Sequence, residues 1–96
     1  MLSKDPKIMN EFIIKLFRQN GLEESVIMSE IIKEWNNIFG DNFAKHCFPY
    51  KLKNQVLTIK VHSAAWREEI KLRNDKLINL INHRLNKNVV KELKLR

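Results

Sequence analysis

The chain has 96 residues, with 18 lysines and arginines against 11 aspartates and glutamates, a formal net charge of +7 and a hydrophobic content of 44%. These values are typical of one small globular domain, which we expect to span residues 1–96 as an N-terminal helix (1–22) and a core (23–96). No apolar run exceeds three residues, so the sequence predicts neither a membrane span nor a signal peptide, and we expect a cytoplasmic protein.

Two amphipathic helices are predicted in the first half of the chain. The first covers Lys7–Asn20, and the second covers Glu23–Phe39, where Gly40 can provide a left-handed cap. One further turn is predicted within Asp41–Phe48, before Pro49 forces the chain to extend. The apolar residues that recur at helical spacing are Met9, Phe12, Ile13, Leu16 and Phe17 in the first helix, and Met28, Ile31, Ile32, Trp35 and Phe39 in the second.

From Tyr50 the apolar residues recur with a period of two. This alternation predicts a β-hairpin that ends at Val61 and has a tight turn at Asn54-Gln55. The alternation directs one set of side chains toward the helices, namely Tyr50, Leu52, Leu57, Ile59 and Val61, and leaves Lys51, Lys53, Thr58, Lys60 and His62 on the opposite face.

A long helix and a third strand complete the prediction. The helix begins at the N-cap Ser63 and ends near Asn86, with a bend near Asn74-Asp75. The segment Val89–Arg96 alternates again, with Leu93 and Leu95 on the helix side and Glu92, Lys94 and Arg96 on the open side.

The resulting order, α-α-β-β-α-β, predicts an α+β fold with helices on one face of a three-stranded sheet. A right-handed crossover through the last helix would place the third strand parallel to the second, giving a mixed sheet. Trp66 lies on the same face of the predicted helix as Ile70, Leu77 and Ile81. We therefore interpret it, like Trp35, as a core residue and not as a ring that stacks on bases.

The residue types needed for catalysis or metal binding do not occur at suitable spacings. Cys47 is the single cysteine, and it is adjacent to His46 but far in sequence from His62 and His83. There is no Gly-rich phosphate loop, nucleophile elbow or His-x-x-x-His pair. We therefore expect no enzyme activity, no catalytic residue, no cofactor, no metal site and no small-molecule substrate.

Positive charge is concentrated in the second half of the chain. Residues 1–43 contain five Lys/Arg and seven Asp/Glu, whereas residues 44–96 contain thirteen and four. This asymmetry favours a polyanionic partner, although lysines also serve simply as solubilising surface residues. The candidate nucleic-acid-binding residues are those of the open sheet face together with two on the last helix: Lys51, Lys53, Lys60, Arg67, Lys71, Lys94 and Arg96.

One combination of residues resembles a known protein family. The combination is Trp35-(x4)-Gly40, then Ala44, His46, Pro49 and Leu52, then Leu57-x-Ile59-x-Val61-x-Ser63-x-x-Trp66-x-x-Glu69-Ile70 and a final basic strand. Over roughly Ile31–Arg96 the chain is similar to the DciA family of bacterial replicative-helicase loaders.

The resemblance implies a KH-like fold, association with the replicative DNA helicase, affinity for single- or double-stranded DNA and a place near the nucleoid. The chain has only Gly21 and Gly40, so it lacks the Gly-x-x-Gly loop with which KH domains clamp nucleic acid. The helicase contact is expected on the helices, through residues outside the apolar stripes: Glu11, Lys15 and Arg18, or Glu30, Lys33 and Glu34.

Two other functions fit the bare sequence. An RNA-binding KH-like module in translation or RNA metabolism would have the same size and basic half. A structural interaction domain, in which the charge is incidental, would also have this composition. The resemblance alone favours the helicase accessory role.

Overall fold

The computed structural model describes residues 22–96. It contains α1 (Leu22–Phe39), α2 (Asp41–His46), β1 (Cys47–Lys53), β2 (Val56–Val61), α3 (Ala64–Leu72), α4 (Asn74–Leu85) and β3 (Glu92–Leu95). The predicted helix over Lys7–Asn20 lies outside these residues. Between residues 22 and 96, no helix combines the length and apolarity needed to cross a membrane.

The three strands form one sheet in the order β1-β2-β3. β1 pairs with β2 antiparallel, and β2 pairs with β3 parallel, so the predicted mixed sheet is confirmed. Asn54 and Gln55 both have positive φ values, 51° and 65°, as a two-residue type I′ hairpin turn requires. The central strand is β2, and β1 and β3 are the two edges.

All the described helices lie on one face of the sheet. Their apolar residues form one core with the inward residues of the strands: Ile31 and Trp35 of α1, Phe43 of α2, Ile70 of α3, Leu77 and Ile81 of α4, and Cys47, Leu52, Leu57, Ile59 and Val61 of the sheet. The α+β class with helices on one side is therefore confirmed. The other face of the sheet has no described element packed on it.

Local signals explain where the helices end. Gly40 follows α1 with a φ of 85°, which L side chains rarely adopt. Its ψ of 162° lies outside the left-handed helical region, so the predicted left-handed cap is wrong although the need for glycine is real. The Ser63 hydroxyl accepts a hydrogen bond from the Trp66 amide at 3.3 Å and caps α3, as predicted. The predicted long helix is two helices, because Arg73 leaves the helical conformation between α3 and α4. Asn86 ends α4 in the left-handed conformation.

The third strand is shorter than predicted. Val89 and Val90, expected in the strand, instead donate their amides to the Asn82 side-chain oxygen at 3.0 and 2.9 Å. The side-chain nitrogen Nδ2 of Asn82 in turn donates to the Val90 carbonyl at 2.8 Å. Because these backbone groups bond to α4, the ladder with β2 begins only at Glu92.

Candidate nucleic-acid interface

The open face of the sheet brings together five of the seven predicted site residues. The register places Lys51 beside Thr58 and Thr58 beside Lys94. One row further along, the Arg96 backbone bonds to Ile59 and Val61, on either side of Lys60. The five cations on this face, all of them exposed, are Lys51, Lys53, Lys60, Lys94 and Arg96.

These five cations have little acidic compensation. Glu92 is the carboxylate that alternation places on the same face. Within residues 22–96, none of the five cations forms an ion pair; the described ion pairs join Lys71, Arg73, Arg84 and Lys87 to glutamates of the helices. The open face is therefore a positively charged surface whose lysines are free to meet an anionic partner.

The other two predicted residues have a different setting. Arg67 and Lys71 lie on α3, in the helical layer. The Arg67 guanidinium is partly buried and donates to the Val61 carbonyl at 2.9 Å, which ties α3 to the end of β2. The Lys71 ammonium lies 3.6 Å from the Glu68 carboxylate. The structure therefore does not bring these two residues onto the open face.

The prediction that Tyr50 points toward the helices is wrong. The register shifts between Pro49 and Lys51, so Tyr50 is the extra residue of a β-bulge. The Tyr50 side chain is 47% exposed, and the Arg96 guanidinium carbon lies 4.5 Å from the centroid of its ring. Since Arg96 belongs to the open face, Tyr50 belongs to it as well.

Phe48 is a second aromatic residue of the open face that the sequence prediction missed. Phe48 pairs with Lys60, is 42% exposed and has its ring 6.1 Å from the His62 ring. β1 was expected to begin after Pro49, but it begins at Cys47. Proline is tolerated there because β1 is an edge strand. Cys47 and Leu52 both point inward, but regular alternation puts residues on the same face only when an even number of positions separates them. Their odd-numbered separation was the signal for a bulge.

The two tryptophans lie in the helical layer. Trp35 is buried, as predicted, whereas Trp66 is only partly buried. The Trp66 ring meets the edge of Phe43 at 5.5 Å and stacks with His46 at 5.8 Å. Trp66 also lines a cleft of about 340 Å³ with Phe43 and Ile70, away from the open face.

The described residues do not form a metal site. Between residues 22 and 96, no group of three His, Cys, Asp or Glu side chains lies close enough together to hold a metal ion. Cys47 is buried on the core face of β1, and burial raises the pKa of its thiol to about 11. A buried, protonated thiol is a poor nucleophile and a poor metal ligand.

Comparison with known proteins identifies relatives along nearly the whole chain. A UPF0232 protein from Streptomyces avermitilis is 30% identical over 94 residues, covering 96% of this chain and 52% of the relative. A UPF0232 protein from Streptomyces coelicolor is 28% identical over 94 residues, with 96% and 50% coverage. One from Mycobacterium leprae is 26% identical over 92 residues, with 96% and 49% coverage.

The chain spans about half the length of these relatives. The family model described as "Dna[CI] antecedent, DciA" matches residues 9–95, and this range also includes most of the predicted first helix. The resemblance expected from the tryptophans, Gly40 and the strand pattern is confirmed, and the chain belongs to the DciA family.

Proposed function

We propose that this chain is a non-enzymatic accessory protein that assists the loading of the replicative DNA helicase onto DNA. The DciA family is associated with helicase loading in DNA replication and is not a class of enzymes. In this proposal the open face of the sheet binds DNA, and the energy for opening the helicase ring comes from binding or from the helicase itself.

The observation that carries the proposal is the unpaired charge of the open face. Five exposed cations lie there with Glu92, and none of them forms an ion pair within residues 22–96. Lysine and arginine contacts of this type are made to phosphates and carry little sequence information. We therefore expect DNA binding without strong sequence preference that weakens steeply with salt.

If DNA occupies the open face, the helical layer is left for the helicase. Of the residues expected to contact it, Glu11, Lys15 and Arg18 lie outside the described residues. Glu30 and Glu34 of α1 pair with Lys87 and Arg84 at 4.0 and 3.1 Å, so these carboxylates are already engaged. Lys33 is exposed and forms no ion pair with a described residue, which makes it the better candidate on α1.

A pull-down from cell lysate with nuclease treatment tests the proposal. Retention of the replicative helicase after nuclease supports a direct protein contact. A second assay then measures how fast purified helicase assembles on single-stranded DNA with and without the protein. Loss of every partner after nuclease, together with tighter binding to RNA than to DNA of the same sequence, would favour an RNA-binding module instead.

A further inference from the structure

Two aromatic side chains interrupt the basic open face of the sheet. Phe48 and Tyr50 lie on the edge strand β1, where they are 42% and 47% exposed. Aromatic residues are common in strands, and a single exposed ring needs no explanation. Two half-exposed rings among unpaired cations are different, because phosphate contacts alone would need only the cations.

The rings lie next to cations from other strands. Phe48 pairs with Lys60 across the hairpin, and the Arg96 guanidinium covers the Tyr50 ring at 4.5 Å. Because Tyr50 is on β1 and Arg96 follows β3, this contact crosses the central strand β2. Thr58, on β2 and on the same face, is only 4% exposed, which is consistent with neighbouring side chains lying over it.

We infer that the open face is a single-stranded DNA site in which unpaired bases stack on Phe48 and on the Tyr50–Arg96 pair. The inference rests on the proposed function, which supplies DNA as the polymer. Lys51, Lys53, Lys60 and Lys94 contact the phosphates of the same strand. Aromatic rings and arginine guanidinium planes both stack on bases, and they do so for every base because each has a π-face.

This site distinguishes single strands from duplexes. In a duplex the bases are already stacked on one another, so the rings gain no base contact and only the cations contribute. In a single strand both sets of side chains contribute. The chain has no Gly-x-x-Gly loop to clamp the nucleic-acid backbone, so in this site the cations hold the phosphates and the rings add the contact to the bases.

The first experiment uses the unmodified protein. Fluorescence anisotropy compares a single-stranded DNA of about 12 nucleotides, within the range of site sizes known for OB folds, with an abasic strand of the same length. The two strands have the same phosphates and differ in their bases. We expect the strand with bases to bind at least roughly fivefold more tightly for each ring that stacks.

Variants then assign the difference to the rings. Phe48→Leu and Tyr50→Leu each remove a ring and keep an apolar side chain, and both together should remove most of the preference for bases over the abasic strand, since only the Arg96 guanidinium is left to stack. Tyr50→Phe keeps the ring and should keep the preference. Leu72→Ala is the matched control, because Leu72 is an 80% exposed apolar residue of α3.

The outcomes separate this inference from the proposed function. Equal affinity of the unmodified protein for both strands would overturn the stacking site and leave phosphate binding intact. A preference that is as large in the double ring variant as in the unmodified protein would also overturn it. If the unmodified protein binds neither strand, DNA binding itself fails, and with it the proposed function. The abasic comparison does not depend on any variant folding.

Discussion

The indole Nε1–H of Trp35 donates a hydrogen bond to the carbonyl oxygen of Cys47 at 2.8 Å, which joins α1 to the first residue of β1. Trp35 is 3% exposed, and its ring meets the Phe39 ring edge-on at 4.7 Å and lies 5.8 Å from the Phe43 ring. The start of the strand that carries Phe48 and Tyr50 is thus held by the core of the helical layer.

Trp35→Ala should be a strongly destabilising substitution. Removing a buried tryptophan typically costs about 3–5 kcal/mol, a large part of the ~5–10 kcal/mol expected for a small domain. Trp35→Phe keeps most of the apolar area and should lose mainly the hydrogen bond to the buried Cys47 carbonyl, about 1–3 kcal/mol. Urea denaturation followed by circular dichroism measures both values.

Trp66→Ala provides the comparison. Because Trp66 is only partly buried and stacks on the exposed His46, its loss should cost less than that of Trp35. An equal or larger loss of stability would mean that Trp66 is as central to the core as its position on the predicted helix suggested. Trp66→Ala should not alter the preference of the protein for base-bearing over abasic strands.

The helices and the hairpin could be predicted because each is encoded locally. The alternation of Leu57, Ile59 and Val61, the spacing of Ile31 and Trp35, and the Ser63 cap each act within one element. The bulge at Tyr50 is different, since it depends on how β1 aligns with β2. The shortened third strand depends on Asn82, a side chain of another element.

The same distinction applies to the candidate site. The outward cations on the strands could be read from period-two alternation, so five of them were grouped correctly by the sequence. Arg67 and Lys71 were added from helical spacing alone, which does not show that Arg67 bonds to the Val61 carbonyl. Tyr50 was missed because one inserted residue reverses the face of every position before it. Phe48 was missed because the strand was expected to begin only after Pro49, whereas it begins at Cys47.

Asn82→Ala should destabilise the junction between α4 and β3. The substitution removes the acceptor of the Val89 and Val90 amides and the donor to the Val90 carbonyl. Val89 and Val90 are 6% and 3% exposed, and each buried polar group without a partner costs about 1–3 kcal/mol. We expect a loss of about 2–4 kcal/mol in urea denaturation. Asn82→Asp keeps the acceptor and should lose less.

Cys47 should make the stability depend on pH in the alkaline range. Burial raises the pKa of its thiol from 9.0 to about 11, so the unfolded chain releases this proton first. The stabilisation is complete below pH 9 and is lost as the pH rises toward 11. A shift of this size corresponds to roughly 2–3 kcal/mol. The measurement is the free energy of unfolding of the parent and of Cys47→Val as a function of pH. Between pH 9 and 11 the variant should lose less stability than the parent, by the amount that the thiol contributes.

Glu34 should act in the opposite pH range. Hydrogen bonds from Asn37 and then from Arg84 lower the pKa of the Glu34 carboxyl below 4.5. The contribution of this carboxylate is therefore present above pH 4.5 and is lost as the pH falls through the lowered value. Glu34→Gln should melt slightly below the parent at neutral pH, and the difference should vanish in acid. A difference that persists in acid would mean that the carboxylate charge is not its cause.

Replacing Lys51, Lys53 and Lys60 by Gln should weaken DNA binding without changing the melting temperature. All three side chains are exposed, and none forms an ion pair within residues 22–96. On single strands each neutralised phosphate contributes about −0.7 to the slope of log affinity against log salt. Loss of three such contacts should flatten the slope by roughly two units, measured by anisotropy at several salt concentrations.

A matched triple variant separates the open face from net charge. Lys33, Lys45 and Lys76 are exposed lysines of α1, α2 and α4, and none forms an ion pair with a described residue. Changing these three to Gln lowers the formal net charge from +7 to +4, as the first variant does, because each removes three positive charges. If binding depends on the open face, the control should keep nearly the parent slope. Equal flattening in both variants would instead mean that DNA responds to the total charge of the protein, and the sheet would have no special part in binding.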